Sequence, residues 1–454
     1  MYYSNNVRFM SEKLAMIRNQ AIKDTIGDIP KSGRLVLKNG YVIDPKNKVE
    51  EVRDIVMENG EVVQVGTDLP VEKGDMILDC EGLLVVPGLL DMHVHLGDLF
   101  EVSTEPINQA VCDGVAIGLS PGAGNTSMSP SLLGAEVDRG LPMSLGLYLG
   151  GANVAGTMMS AEDLIRYFKG ECDDETVFTK FTRNAVSGTT GNLVMGIKDH
   201  MGHFIMSDEN IDKLFEVTSQ AKLVYMSHTQ DPEHTMRMVK LSKGRPLHLG
   251  HASSPGCGTH MNGKDAMDII VGLIRDNKHV SGEFVTSMMR PSRGHHEGLL
   301  IEPEAQKVCY EALEKGLVKI LISDGQGDAT MKGFGDTRDD VPAILELADL
   351  GILSLSDSVA TMTANPAARI AELTANPWWS EKIGHLGVGA LGNVTVISRL
   401  NKMSLYTIVN GVITAFEHRV VRRGNGAGGW MTKFGMLRNT GVGDLCLLTG
   451  GYGK

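Results

Sequence analysis

Two histidines one residue apart, His93-Val94-His95, close a strongly apolar run, VVPGLLDMHVH. On an extended strand alternate residues point the same way, so both imidazoles can address one metal ion. An H-x-H pair alone is a weak signal. Four more residues with ligating or charged side chains also close apolar runs: Lys198, His228, His251 and Asp324. A single histidine at such a place is commonly structural. Four histidines, an aspartate and a lysine, all closing apolar runs, point instead to one metal site. Imidazole nitrogen and carboxylate oxygen are the ligands that Zn²⁺ takes.

The elements that must position these residues alternate along the chain. Strand-like apolar runs occur at 90–95, 114–119, 143–149, 193–198, 223–228, 247–251, 280–285 and 318–324. Helical patterns lie between them, such as 208–220 behind a Ser207 cap and 302–316 ending at Gly316. Eight strands each followed by a helix predict a (β/α)8 barrel, whose active sites lie at the C-terminal ends of the strands. An open doubly wound sheet should carry a Gly-rich phosphate loop after its first strand, and none is there.

Both ends of the chain read as β-structure. Arg34–Asp44, Asp54–Thr67, Gly392–Ser398 and Leu405–Phe416 alternate apolar and polar residues, with Asn-Gly pairs at 39–40, 59–60 and 410–411. That dipeptide suits two-residue hairpins. The expected layout is an α/β protein. It has an N-terminal helical extension (1–33), a small β-sandwich built from 34–88 and 386–425, a barrel over 89–385 and an irregular tail over 426–454.

The 454 residues suffice for such a pair of domains, and 42% are hydrophobic. A net charge of −12 argues against a nucleic-acid surface. The six cysteines have no paired spacing, which fits a reducing compartment. No apolar run reaches the length of a membrane span, and the N-terminus lacks the apolar core of a signal peptide. The expectation is a cytoplasmic homo-oligomer acting on a small-molecule substrate, without nucleic acid or membrane partners.

The run Val86–His95 resembles the signature of the amidohydrolase superfamily. The likeness continues through Lys198, His228, His251 and Asp324, then Thr363–Ala367 and the GHLGVGALGNVTV stretch at 384–396. It covers residues 34–420. GIKDHM around Lys198 is most similar to the dihydroorotase, hydantoinase and D-aminoacylase branch. The resemblance implies two divalent metals, with Zn²⁺ the expected ion, and a lysine carboxylated by CO2 at 198. His93, His95, Asp324 and carboxylated Lys198 would bind the more buried metal. His228, His251 and the other carbamate oxygen would bind the second. A bridging hydroxide would attack the carbonyl of an amide, cyclic amide or N-acyl or N-carbamoyl group, with Asp324 as general base and acid. One departure is Gly392-Asn393, where the family often has Ala-Asp.

Ester or lactone hydrolysis by the same centre stays open. Deamination of an amino-heterocycle is disfavoured by Lys198, and a non-catalytic scaffold by the full set of ligand positions. Around the core set, Arg290 and Arg293 are candidates for a substrate carboxylate. His248 reads as structural, and His200 and His203 as loop residues, exposed to solvent or, as the alternative, touching substrate. His295-His296 are adjacent and diverge. Gly325–Asp340 reads as a rim or lid, and Trp378-Trp379 as packing.

Overall fold

The computed structural model describes residues 33–96, 105–121, 128–183, 188, 190–200, 206–291, 300–326, 335–421 and 427–437. The expected helical extension therefore lies outside the described residues. Five strands open the described chain: β1 (Leu35–Asp44), β2 (Val49–Glu58), β3 (Glu61–Gly66), β4 (Met76–Asp79) and β5 (Leu84–Pro87). Eight follow: β6 (Leu89–Asp91), β7 (Val115–Ser120), β8 (Ser144–Gly150), β9 (Gly196–Asp199), β10 (Val224–His228), β11 (Leu247–Gly250), β12 (Val280–Val285) and β13 (Ile320–Ile322). Then come β14 (Val394–Ser398), β15 (Met403–Val409), β16 (Val412–Phe416), β17 (Arg419–Val420), β18 (Trp430–Thr432) and β19 (Gly435–Leu437).

β6 to β13 pair in sequence order, each parallel to the next. Parallel strands need crossover connections, and helices such as Asp208–Ala221, Gly263–Asp276 and Pro303–Glu314 supply them. At the two ends of the row, Asp324 N donates to His93 O at 2.9 Å and His95 N to Gly325 O at 3.2 Å. The chain segments after the first and eighth strands therefore lie side by side. The strands are apolar almost throughout, as sheets covered on both faces must be.

The two β-rich ends join one nine-stranded sheet, in the order β17-β16-β15-β14-β5-β1-β2-β3, with β4 on β1. In hydrogen-bonding terms this is one continuous sheet. Leu37, Ile55, Met57, Val85, Val394 and Ile408 belong to its own apolar cluster. Asn59-Gly60 and Asn410-Gly411 take the positive φ angles of tight hairpins. Asn39-Gly40 does not make a turn. It sits inside β1 at a register shift, where a side chain at Gly40 would run into Val85.

The buried Asp54 carboxylate holds that irregularity. It accepts from Asn39 N and Leu69 N, each at 2.9 Å, and from Lys38 Nζ. Burial alone would raise its pKa, but Lys38 and the two amides outweigh this and hold it below the ordinary carboxylate value. Its contribution to stability is thus complete above the ordinary range and is lost as pH falls through the lowered value. Asp54→Ala should destabilise the fold by about 1–3 kcal/mol at neutral pH, because it leaves two backbone donors unpaired. Urea denaturation measures this, and an unchanged midpoint would contradict it.

The part of the tail that is described, 427–437, is not irregular. β18 and β19 form a buried hairpin against β8, with Trp430 beside Leu145. Its glycines suggested irregular chain, but Gly428 packs directly on the backbone of Met143, where a side chain has no room. Lys433 Nζ donates to Phe168 O at 2.6 Å and Ala221 O at 2.8 Å, at the ends of helices Ala161–Lys169 and Asp208–Ala221. Trp379 is fully buried and donates from Nε1 to Thr432 O, so the packing role expected for it holds. Cys80, Cys112, Cys172, Cys257 and Cys309 are free thiols. Among the described residues, no helix is long and apolar enough to cross a membrane.

Candidate metal centre

β6 ends at Asp91, two residues before the first histidine of the H-x-H pair. His93 N donates to the Asp91 carboxylate at 3.0 Å, not to a neighbouring strand. The other Asp91 oxygen accepts from Ser323 N at 3.1 Å and from Ser323 Oγ. Asp91 thereby ties the segments that carry His93 and Asp324. His93 Nε2 and His95 Nε2 each lie 3.1 Å from Asp324 Oδ1. Ligating atoms of these three residues all fall within 4.8 Å of one another.

Lys198, fully buried on β9, and His93 flank Gly250. A Cβ there would stand 2.8 Å from Lys198 Nζ and 3.0 Å from His93 Cε1. The next residue, His251, packs its ring 5.2 Å from that of His93, and its Nε2 lies 2.9 Å from His228 Nδ1. Ser254 Oγ is 2.9 Å from His251 Nδ1. All six residues expected from the sequence are therefore gathered at one end of the parallel strands. His251 and Asp324 have φ of 41° and 48°. Left-handed backbone costs a non-glycine residue about 1–2 kcal/mol, and such strain is concentrated at functional sites.

Sequence reasoning missed Glu283. This fully buried carboxylate lies on β12, the one strand among the last five that supplies none of the expected ligands. Glu283 Oε1 accepts from His93 Nδ1 and, at 3.3 Å, from His251 N. Its Oε2 meets His248 Nε2 at 2.9 Å, and Ser281 Oγ is 2.7 Å from His248 Nδ1. Burial would raise the Glu283 pKa, but His93 and His248 overcome this and hold it at about 2. The only sequence signal was an acidic residue within the otherwise barrel-like run VSGEFV.

Burial, then the charge of Lys198, push the His228 imidazole down to about 3. Burial, His228 and Lys198 drive His251 well below its ordinary value. Both rings are thus neutral and have a lone pair to offer, the form in which histidine binds metal. Asp324 is held ionised despite burial, chiefly by His93. Its Oδ2 is buried with no hydrogen-bond partner among the described residues. Such an atom costs several kcal/mol unless something pairs with it. A buried anionic oxygen without a partner beside neutral imidazoles suits a divalent cation.

Other candidates fare differently. Arg290 is engaged within the chain: Nε and Nη2 each donate to Glu346 at 3.0 Å, and Nη1 pairs with Asp339. Each nitrogen of its fork already serves a carboxylate of the chain, with which a substrate carboxylate would have to compete. Arg293, His295, His296 and His203 lie outside the described residues, as does the middle of the expected lid. That loop's ends are bridged at Gly325 and Gly335. His248 is structural, as expected, but it faces the cluster through Glu283. His200 is half-buried, not exposed. It donates from Nε2 to Pro121 O at 2.9 Å, with its ring 6.2 Å from that of His95.

Comparison with known proteins agrees with this architecture. Residues 84–421 match the amidohydrolase family. A dihydroorotase of Aquifex aeolicus is 39% identical over 402 residues, covering 80% of this chain and 89% of that protein. One from Geobacter sp. strain M21 is 24% identical over 403 residues, with the same coverages. The fold is shared with a D-hydantoinase (dihydropyrimidinase) from Thermus sp., at TM-score 0.64 and 14% identity, over 89% of this chain and all of that one. A dihydropyrimidinase from Brevibacillus agri gives TM-score 0.63 at 16% identity, over 87% and 97%. The chain belongs to the amidohydrolase family, on its dihydroorotase and hydantoinase branch, and is a hydrolase of carbon–nitrogen bonds other than peptide bonds.

Proposed function

We propose that this protein opens a cyclic amide at a binuclear metal centre. The supporting observation is the gathering of His93, His95, Lys198, His228, His251 and Asp324 at one end of the parallel strands, with Asp324 Oδ2 buried and without a hydrogen-bond partner among the described residues. The relatives named as dihydroorotases and hydantoinases support the substrate class. We read β6–β13 as a closed barrel (89–385), with 34–88 and 386–425 as the small β-sandwich.

His93, His95, Asp324 and Lys198 would hold one metal, and His228, His251 and Lys198 the other, with Lys198 carboxylated. Zn²⁺ suits this nitrogen and oxygen set. When bound, the metals lower the pKa of a water and polarise the scissile carbonyl. The Asp324 carboxylate then takes the proton from the attacking water and delivers it to the leaving nitrogen. Lone pairs on His228 and His251 stay available because burial keeps both rings neutral. Arg293 is the arginine of the β12 loop proposed to meet an anionic group on the substrate.

Protein purified without chelator should carry about two divalent metals per chain and open hydantoins or dihydropyrimidines. Elemental analysis and a screen that adds N-acyl amino acids and lactones test this. Turnover of lactones alone would replace the cyclic amide with an ester. Full activity at a metal content near zero would remove the metal centre from the mechanism.

A further inference from the structure

We infer that Glu283 is a positioning residue that aims the His93 ring, and ties the His251 backbone to it, for the metal centre proposed above. A neutral imidazole that ligates through one nitrogen carries its proton on the other, and an acceptor for that proton fixes the tautomer and the ring's direction. Glu283 Oε1 accepts from His93 Nδ1, which leaves Nε2 as the atom presented toward Asp324 and His95. That oxygen also accepts from His251 N, at the residue whose left-handed backbone turns its ring toward His228. One carboxylate thus sets a histidine from each of the two proposed ligand groups.

Glu283 is held in its turn. His248 Nε2 donates to Oε2, and Ser281 Oγ donates to His248 Nδ1. The chain Ser281–His248–Glu283–His93 runs through fully buried side chains of His248, Glu283 and His93. A purely structural carboxylate here would be an expensive choice, because a fully buried carboxylate needs partners on both oxygens. Glu283 contributes no ligand to the proposed set, and its partners are the groups that orient those ligands.

The test is Glu283→Gln, which keeps the shape and one acceptor oxygen but removes the charge. Zn²⁺ affinity is read by competition with a chelating dye, geometry by the visible spectrum of the Co²⁺-loaded protein, and stability by denaturing the metal-free protein. We expect affinity to fall roughly 10–100-fold. The Co²⁺ bands should change and the metal-free melting midpoint should stay near wild type. For the cyclic amide that the wild type opens, kcat should fall and KM should not. Wild-type affinity with an unchanged Co²⁺ spectrum would overturn the inference. So would an affinity loss matched by equal destabilisation of the metal-free protein, which marks a structural role.

If Glu283→Gln does not fold, His248→Phe is read the same way. It removes the outer donor while filling the space, and a smaller loss of affinity is expected. The inference rests on the metal reading, and the outcomes separate the two. A wild type that binds no divalent metal overturns both. A wild type that binds metal but opens no cyclic amide overturns the substrate class alone, and the affinity comparison then decides the role of Glu283.

Discussion

Lys198→Ala should lower kcat by about 10³-fold or more, roughly 4 kcal/mol of barrier, and short carboxylic acids should restore part of the loss. Lys198 is fully buried on β9, between β8 and β10. An ammonium group there is at odds with its neighbours: it pushes His228, His251 and His200 toward their neutral forms. Carboxylation reverses the sign of the charge and makes the same side chain attractive to two cations. Alanine leaves a space bounded by these imidazoles, into which acetate or propionate can bring a carboxylate. Rescue should saturate with acid concentration and fade as the acid grows too large for the space. Metal content should fall in the variant and rise with the acid. Wild-type kcat in the variant, or loss without any rescue at full metal occupancy, would contradict the carbamate.

Gly250→Ala is expected to cost about a hundredfold in kcat with the fold intact. The added methyl would meet Lys198 Nζ at 2.8 Å and His93 Cε1 and Met226 Cγ at 3.0 Å. One of these must move, and the lysine terminus is the flexible one. A shift near 1 Å at that atom is enough for a loss of this size, whereas overpacking should cost stability only about 1–3 kcal/mol. Gly272→Ala is the control. It lies on helix Gly263–Asp276, where the nearest atom to a new methyl is Arg275 Nη2 at 3.8 Å. That variant should keep full activity and gain about 0.5–1 kcal/mol. Equal activity in both variants would mean that the space around Gly250 is unimportant.

The strand order and the gathering of the six candidate residues were legible because these residues lie at the ends of apolar runs, and that is a local pattern. Glu283 was not legible. Its meaning depends on His93 across the strands, 190 residues away, and within VSGEFV it looks like the polar face of an ordinary strand. The end of β6 was misjudged for a similar reason. Alternation continues through His93 and His95, but the Asp91 carboxylate takes the His93 amide and ends the pairing. Arg290 read as a free fork because Glu346 and Asp339 arrive from 56 and 49 residues away. Asn39-Gly40 carried the same dipeptide as two true hairpins. Asp54 claims the Asn39 amide and keeps that stretch within β1.

The shared sheet also sets a timetable for synthesis. β5 pairs with β14, and Leu89 N donates to Thr395 Oγ1, 306 residues further on. A ribosome making this chain from its N-terminus therefore produces β1 to β5 long before the partner of β5 exists. Throughout that interval the growing chain exposes an unpaired strand edge, the kind of surface on which polypeptides pair with the wrong neighbour. Loop closure over such a span is slow to be rewarded by contacts. The hairpin at 430–437 extends the delay, since β8 acquires Trp430 and the helix ends acquire Lys433 only when the last described residues emerge. Nascent molecules of this protein should therefore depend on holding chaperones until residues 430–437 have emerged.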